Sequence, residues 1–243
     1  MTIDTDPFFH LPDLRPRISE PSRSRYRSVD LGAMDRKMRE AGFPPSWRRT
    51  DQEREANRAA VLQTLRHRDL WVFAYGSLMW DPGLHFCEVR MAALTGFHRQ
   101  FCLRSRLGRG SFDNPGLMAA LHVGGTCNGL AFRIQRDMIE AETRILWSRE
   151  MVMLAYDPRL VEVETPQGKV EALAFVINPA SENYVGALPL REAAAMIATA
   201  HGLYGSNLDY LDNLAVHLNQ LNIRDDAFFQ LYDCARRLAG QSV

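Results

Sequence analysis

The sequence lacks most of the features that would assign a chain to a functional class at a glance. Its 243 residues contain four cysteines without a CxxC pair, so neither a disulfide framework nor a thiolate metal site is predicted. It has no apolar run of about 18 residues and no basic-then-apolar leader after Met1, which argues against a membrane span and against export. The scattered cysteines are therefore expected to be reduced and mostly buried, as in a cytoplasmic protein.

An excess of charge of either sign is also missing. Lysine and arginine together number 29, as do aspartate and glutamate. A nucleic-acid-binding domain usually carries a clear basic excess, so this balance disfavours that class of protein. Hydrophobic residues make up 46% of the chain and charged residues 24%, which is ordinary for a soluble globular protein. Nothing in this composition indicates an obligate protein partner.

The common catalytic motifs are absent as well. There is no G-x-S-x-G elbow, no HExxH pair and no G-x-G-x-x-G loop. The seven histidines are scattered without the spacing of zinc ligands, so each is expected to be a packed or surface side chain. The sequence thus predicts neither a metal nor a cofactor.

What the chain does have is an apolar stretch that stops abruptly at a glycine. Leu70 to Tyr75 are apolar or aromatic without interruption, which predicts a strand buried on both faces. Gly76 and Ser77 end the run, and glycine is favoured where a backbone turns tightly or approaches a ligand. N–H groups left unpaired by such a turn can hold a carboxylate or polarise a carbonyl. The alternative is an ordinary Gly-Ser turn.

The residues before this stretch have a different character. Residues 1–27 carry prolines and arginines without periodicity, which predicts a mobile or loosely docked extension. Helices are predicted at 28–42 and 50–66, the second capped by Thr50 and Glu53. We therefore expect an N-terminal extension over residues 1–68, partly disordered and then helical, and a main domain over residues 69–243.

The main domain is predicted to belong to the α+β class. A hairpin is expected at Gly124 and Gly125, and helix caps are expected at Asp137, Asn207 and Asp225. The order of elements favours a largely antiparallel or mixed sheet. Its strands are predicted at residues 70–75, 86–94, 96–103, 117–123, 129–134, 159–164 and 169–177, with helices from 137 and after 186.

One carboxylate stands out against this pattern. Glu150 continues the apolar line of Ile139 and Leu146 along the predicted helix, and the apolar stretch MVML follows it. Such a glutamate is either paired with a cation such as Arg149 or partly desolvated in a pocket, where its pKa rises toward that of a general base. The alternative is a helix-end glutamate that reaches solvent or a salt bridge. A turn that polarises a carbonyl and one carboxylate that moves protons suit acyl transfer with a nucleophile supplied by the substrate.

Five stretches, in the same order, resemble the ChaC family of glutathione-specific γ-glutamylcyclotransferases. They are residues 72–80 (VFAYGSLMW), 96–104 (GFHRQFCLR) with 108–110 (GRG), 129–134 (GLAFRI), 146–151 (LWSREM) and 205–211 (GSNLDYL). The resemblance covers about residues 45–240. The sequence departs from the family at Ala74, where a glycine is common before the tyrosine.

The resemblance implies a fold and a reaction. The fold is a γ-glutamylcyclotransferase-like small mixed, partly closed sheet or barrel surrounded by helices. The reaction converts glutathione to 5-oxoproline and Cys-Gly without water or cofactor. Glu150 takes a proton from the γ-glutamyl α-amine, whose ordinary pKa is near 8, the amine attacks the γ-carbonyl, and Glu150 returns the proton to the leaving amine. The loop of Tyr75, Gly76, Ser77 and Leu78 binds the substrate carboxylate or the developing oxyanion.

The resemblance also points to supporting residues. Tyr75 holds the glutamyl end through its hydroxyl or packs at the strand end. Arg109 binds the glycyl carboxylate or is a solvated loop arginine. Ser105 and Tyr184 match family positions that face the pocket, and Asn207 is a helix cap or a ligand.

Other functions compete with this interpretation. The same chemistry on other γ-glutamyl dipeptides or amines shares the turn and the glutamate, although the Trp-Ser-Arg-Glu-Met context at 147–151 favours ChaC. A non-catalytic binding module of the same fold is a second possibility, and the presence of Glu150 speaks against it. A protein-binding adaptor that works through the arginine-bearing N terminus is a third.

Overall fold

The computed structural model describes residues 6–40, 42–65 and 68–240. These residues form two compact units. The first consists of the described residues up to Ala74 together with Leu78–Leu94 and Gly129–Phe175, and the second of Tyr75–Ser77, Thr95–Asn128 and the residues from Val176 onward.

The sheet is a barrel built from five long strands. They close in the order β1-β3-β2-β4-β5, and β5 also pairs with β3. The predicted α+β class with a mixed sheet is confirmed, and the sheet is closed. The strands are β1 (Leu70–Ala74), β2 (Glu88–Ser105), β3 (Gly116–Ile134), β4 (Tyr156–Thr165) and β5 (Gly168–Ile177), followed by the short pair β6 (His201–Gly202) and β7 (Gly205–Ser206). The helices are α1 (Leu31–Glu40), α2 (Asp51–Gln63), α3 (Ile139–Glu150), α4 (Leu190–Thr199), α5 (Asn207–Gln220) and α6 (Asp226–Gly240).

Strand β1 is paired along both edges and buried. It pairs antiparallel with β3, with Leu70 opposite Ile134, and parallel with β5, with Trp71 opposite Ala172. All five of its residues are buried, which confirms the expected strand with two covered faces. Such a strand has no room for polar side chains, because apolar neighbours lie on both faces.

Two of the strands are longer than the sequence predicts. Gly96 lies inside β2 with a φ of +88°, and Gly124 and Gly125 lie inside β3 with φ values of +110° and +68°. The predicted hairpin at Gly124 and Gly125 is therefore wrong. These glycines adopt backbone conformations that other residues rarely do, and they bend a strand without ending it. The strands continue through these glycines because hydrogen-bonding strands are available on both sides. For example, β3 pairs with β5 at Leu121 and Val176.

The helices of the first unit follow the predicted signals in part. Thr50 and Glu53 form the predicted capping box at the start of α2. The expected end of that helix at Arg66 lies outside the described residues. Helix α3 begins at Ile139 after a short 3₁₀ turn over Arg136–Met138, and no side chain caps it, so the predicted cap at Asp137 is wrong.

Residues 6–28, hereafter the N-terminal segment, pack within the first unit as a series of short 3₁₀ turns. Phe8, Leu14 and Ile18 are buried, and the ring of Phe8 meets that of Phe86 edge-on at 5.5 Å. The amide of Val89 donates to the carbonyl of Pro7 at 3.0 Å. The division of the chain into parts 1–68 and 69–243 stays a prediction.

In the second unit α4, α5 and α6 pack against one another. Ser206 caps α5, because its hydroxyl accepts from the Asp209 amide at 2.9 Å while the Asp209 carboxylate accepts from the Ser206 amide. The predicted cap at Asn207 is thus wrong by one residue. Asp225 behaves as predicted at the start of α6, where its carboxylate accepts from the Phe228 amide at 3.1 Å.

The four cysteines are free thiols, as the sequence predicts. Cys102 and Cys127 are buried, and burial raises the pKa of these thiols to about 12 and about 11. Within the described ranges, no helix combines the length and the apolar character that a membrane crossing requires.

Candidate active site

Glu150 is the last residue of α3, and its environment combines two of the predicted alternatives. Its carboxylate Oε1 lies 2.8 Å from Nε of Arg149, and the two side chains are only 15% and 4% exposed. Burial raises the pKa of Glu150, and the charge and hydrogen bond of Arg149 oppose that rise without cancelling it. A carboxylate that is paired and also desolvated binds a proton more readily than an exposed one and is still held in one orientation.

Arg149 makes three further contacts that fix it in place. Its Nη1 donates to the carbonyl of Asp81 and reaches the carbonyl of Pro82 at 3.4 Å. Its guanidinium carbon lies 3.8 Å from the centre of the Tyr26 ring. The arginine that orients Glu150 thus also binds the backbone shortly after the Gly-Ser turn.

The Gly-Ser turn itself begins in the second unit directly after β1. Gly76 lies against Tyr210, since a Cβ at this position would stand 3.1 Å from the tyrosine hydroxyl. The carbonyl of Tyr75 accepts a hydrogen bond from Nε of Arg99 at 2.7 Å. Because a trans peptide directs its C=O and the next N–H to opposite sides, the N–H of Gly76 points away from Arg99. A turn with this geometry can present an N–H donor to a ligand.

Arg99 is a buried residue next to the turn that the sequence analysis did not single out. Its side chain is 1% exposed and binds the carbonyls of Tyr75 and Asn128 and the carboxylate of Asp225. The alternation of side chains along the strand could have indicated its burial, because Arg99 shares the inward face of β2 with Phe101. An arginine at an inward strand position needs several acceptors, and here one of them is the first carbonyl of the turn.

Ser105 and Arg109 lie together in the second unit. The hydroxyl of Ser105 accepts from the backbone amide of Arg109 at 2.9 Å, which closes the loop between them. The guanidinium of Arg109 donates to the carbonyl of Ser206 at 3.1 Å and stands 6.0 Å from the ring centre of Tyr210. Arg109 is therefore half-buried and lies near the same tyrosine that Gly76 touches.

Tyr184 is placed beside a histidine. Its hydroxyl lies 2.9 Å from Nε2 of His122, the two rings stack at 5.9 Å, and its backbone forms a bridge with Leu103. The side-chain amide of Asn207 is fully buried and pairs with both backbone groups of Leu117. That pairing explains why Asn207 is not the cap of α5.

The predicted site residues are thus distributed over the two units. Through Tyr210, the second unit brings Gly76 and Arg109 together, and Ser105 joins them through the Arg109 amide. It also contains Tyr75, Ser77 and Tyr184, whereas Leu78 and Glu150 belong to the first unit. The described residues contain no group of three or more histidine, cysteine, aspartate or glutamate side chains arranged to hold a metal ion.

Comparison with known proteins decides the family. A family model described as ChaC-like protein matches residues 70–238, from the start of β1 into α6. The chain belongs to the ChaC-like family. The resemblance that five motifs indicate is confirmed, and the match begins after the N-terminal segment.

Relatives of this ChaC-like protein carry informative names. The glutathione-specific γ-glutamylcyclotransferase of Escherichia coli strain K12 is 36% identical over 193 residues, covering 79% of this chain and 84% of that protein. The human glutathione-specific γ-glutamylcyclotransferase 1 is 34% identical over 152 residues, covering 60% and 68%. A crystal structure of the yeast γ-glutamylcyclotransferase specific to glutathione matches with a TM-score of 0.66 at 23% identity, covering 70% and 96%. The last comparison shows a shared fold.

Proposed function

We propose that this ChaC-like protein cleaves glutathione into 5-oxoproline and Cys-Gly. The observation that carries the proposal is Glu150, a mostly buried carboxylate with a raised pKa, held by Arg149 at the position where the family motif has its base. The names of the relatives, at 36% and 34% identity, support glutathione as the substrate.

The reaction needs one group that carries a proton in both directions. The Glu150 carboxylate takes a proton from the α-ammonium of the γ-glutamyl group, and the freed lone pair attacks the γ-carbonyl carbon. When the bond from that carbon to the cysteinyl nitrogen breaks, Glu150 returns the proton to the leaving amine. The second proton of the attacking nitrogen follows to the same amine, so 5-oxoproline keeps one N–H and Cys-Gly leaves as an ammonium. All atoms of glutathione appear in the two products, so no water is consumed.

The raised pKa of Glu150 suits this exchange. An α-amine has an ordinary pKa near 8, well above that of an ordinary glutamate, and each unit of difference costs about 1.4 kcal/mol in proton transfer. Burial narrows this difference in pKa by raising the pKa of the Glu150 carboxyl, while the charge and hydrogen bond of Arg149 limit the rise.

The other predicted site residues bind the substrate in this proposal. In this proposal the N–H groups of the loop from Tyr75 to Leu78 bind the substrate carboxylate or the developing oxyanion, and one such donor typically contributes about 3–4 kcal/mol to catalysis. Arg109 binds the glycyl carboxylate, while Ser105 and Tyr184 line the pocket. The position of Arg109 supports this role, since its guanidinium stands 6.0 Å from the ring centre of Tyr210, the residue that Gly76 of the turn also touches. The cytoplasm stays the predicted compartment.

The proposal is tested by mass spectrometry of the purified protein incubated with glutathione. We expect 5-oxoproline and Cys-Gly in equal amounts, and little 5-oxoproline from γ-Glu-Ala. Glu150→Gln keeps the shape but cannot accept the proton, so we expect kcat to fall by about 10²–10⁴. Glu162→Gln, at an exposed position on β4, is the matched control and should retain full activity.

Each arm has an outcome that contradicts part of the proposal. Release of no 5-oxoproline by the wild type overturns the reaction. Equal turnover of γ-Glu-Ala overturns the assignment of glutathione. Full activity of Glu150→Gln leaves the reaction in place and removes Glu150 from it.

A further inference from the structure

The N-terminal segment reaches the candidate base through Tyr26. The guanidinium of Arg149 lies 3.8 Å from the centre of the Tyr26 ring, while its Nε remains 2.8 Å from Glu150. One flat face of the guanidinium is therefore covered by an aromatic ring, and its edge is directed to the carboxylate. This is the geometry in which a ring fixes a cation and excludes water from it.

The residues on either side of Tyr26 are anchored to the same unit. Arg27 forms a two-point ion pair with Glu142 on α3, at 2.6 and 3.2 Å, and donates to the carbonyl of Gly83 at 3.0 Å. The buried Ser24 lies against Gly83, where a Cβ would come within 2.8 Å of the serine hydroxyl. Tyr26 is thus held between two fixed neighbours and cannot drift away from Arg149 without breaking them.

The N-terminal segment and Arg149 bind one continuous stretch of backbone. Four consecutive carbonyls accept hydrogen bonds: Trp80 from the Ser19 amide at 2.7 Å, Asp81 and Pro82 from Arg149, and Gly83 from Arg27. Arg149 donates to the middle two of these carbonyls. Its position therefore decides both the orientation of Glu150 and the path of the backbone over residues 80–83.

We propose that Tyr26 is a positioning residue that acts on Glu150 through Arg149. This inference rests on the proposed function and adds to the active site a segment that lies before residue 70, where the match to the family model begins. The ring holds the guanidinium in the one plane that serves Glu150 and the carbonyls of residues 81 and 82 together. Without it, Arg149 gains rotational freedom, and the carboxylate moves out of the geometry that proton transfer needs.

The experiment compares steady-state kinetics of glutathione cleavage for Tyr26→Phe and Tyr26→Leu. Phe keeps the ring face, whereas Leu keeps bulk and removes the face. We expect kcat of Tyr26→Leu to fall about tenfold, equal to about 1.4 kcal/mol, with KM changed less than threefold. Tyr26→Phe should stay within twofold of the wild type. Phe9→Leu, at an exposed aromatic of the same segment, is the matched control and should leave kcat unchanged.

A double-mutant cycle locates the effect. If Tyr26 acts through Arg149, the losses of kcat in Tyr26→Leu and Arg149→Lys are not additive, and the double variant is little slower than Arg149→Lys alone.

Four results would each overturn the inference: an unchanged kcat in Tyr26→Leu, equal losses of kcat in Tyr26→Leu and Tyr26→Phe, a change confined to KM, or additive losses in the double variant. A wild type that releases no 5-oxoproline overturns the reaction and this role with it. An active wild type with an unaffected Tyr26→Leu variant overturns the role alone. Thermal unfolding of each variant confirms that the compared proteins are folded.

Discussion

The ion pair between Arg27 and Glu142 should be one of the most sensitive points of the fold. The Glu142 side chain is 0% exposed and accepts three hydrogen bonds, two from Arg27 and one from the His85 amide at 3.0 Å. Arg27→Met preserves most of the length of the side chain and removes its charge. The variant then leaves a buried carboxylate with one backbone donor and no cation.

The cost follows from this burial. Breaking a buried ion pair by removing one partner typically costs about 3–5 kcal/mol, because the remaining charge is neither hydrated nor paired. Total stabilities are about 5–15 kcal/mol, so the loss is a large share. With a urea dependence of about 3 kcal/mol per M, we expect the unfolding midpoint to fall by about 1–1.7 M.

Urea unfolding followed by circular dichroism measures this change. Arg27→Met combined with Glu142→Leu removes both charges and should recover most of the loss, minus about 1 kcal/mol for the unpaired His85 amide. Lys169→Met breaks an exposed pair with Glu162 and should leave the midpoint unchanged. A loss below about 1 kcal/mol in Arg27→Met, or no recovery in the double variant, would refute the reasoning.

Three further predictions concern other sites. Burial raises the pKa of Glu150 above its usual 4.5, so the stability associated with its protonated form is complete below pH 4.5 and is lost as the pH rises through the raised pKa. Glu150→Gln should therefore be more stable than the wild type at pH 8 but not at pH 4. An equal difference in stability at both pH values in urea titrations would contradict this. Arg99→Lys keeps the charge but cannot reach three acceptors at once, so we expect the free energy of unfolding in urea to fall by about 2–4 kcal/mol and the KM for glutathione to rise. An unchanged KM would show that Arg99 does not affect substrate binding through the turn. Cys102 and Cys127 should resist iodoacetamide at pH 8 in the native protein and react after unfolding, because burial raises the pKa of both thiols. Peptide mass spectrometry detects the label, and labelling of either cysteine in the native state would contradict their burial.

Local patterns predicted the elements whose stability is local. The capping box of Thr50 and Glu53 and the apolar run of β1 depend on neighbours in the sequence, and both appear as expected. Gly124 and Gly125 misled the prediction, because a glycine pair has the same composition in a hairpin and in a bent strand. Only the strands that lie on either side decide between the two, and those come from distant parts of the chain.

The candidate site was predictable to a similar extent. Glu150 was singled out as a candidate because a carboxylate on an apolar helix line conflicts with its surroundings, and such conflicts often mark function. Arg27 and Glu142 are 115 residues apart, and no spacing rule connects an arginine in a proline-rich segment with a glutamate on a helix. The contacts of Tyr26 could not be predicted for the same reason.

The pairing of β1 also has a consequence for synthesis of the chain. Its parallel partner, with Trp71 opposite Ala172, follows about a hundred residues later. At about 5–20 residues per second, a ribosome needs roughly 5–20 s to produce that partner after β1 has been made. During this interval five consecutive apolar residues that end up fully buried have no complete sheet to join. We expect the nascent chain to depend on chaperone protection in this window, and the yield of folded protein to fall when translation slows between β1 and β5.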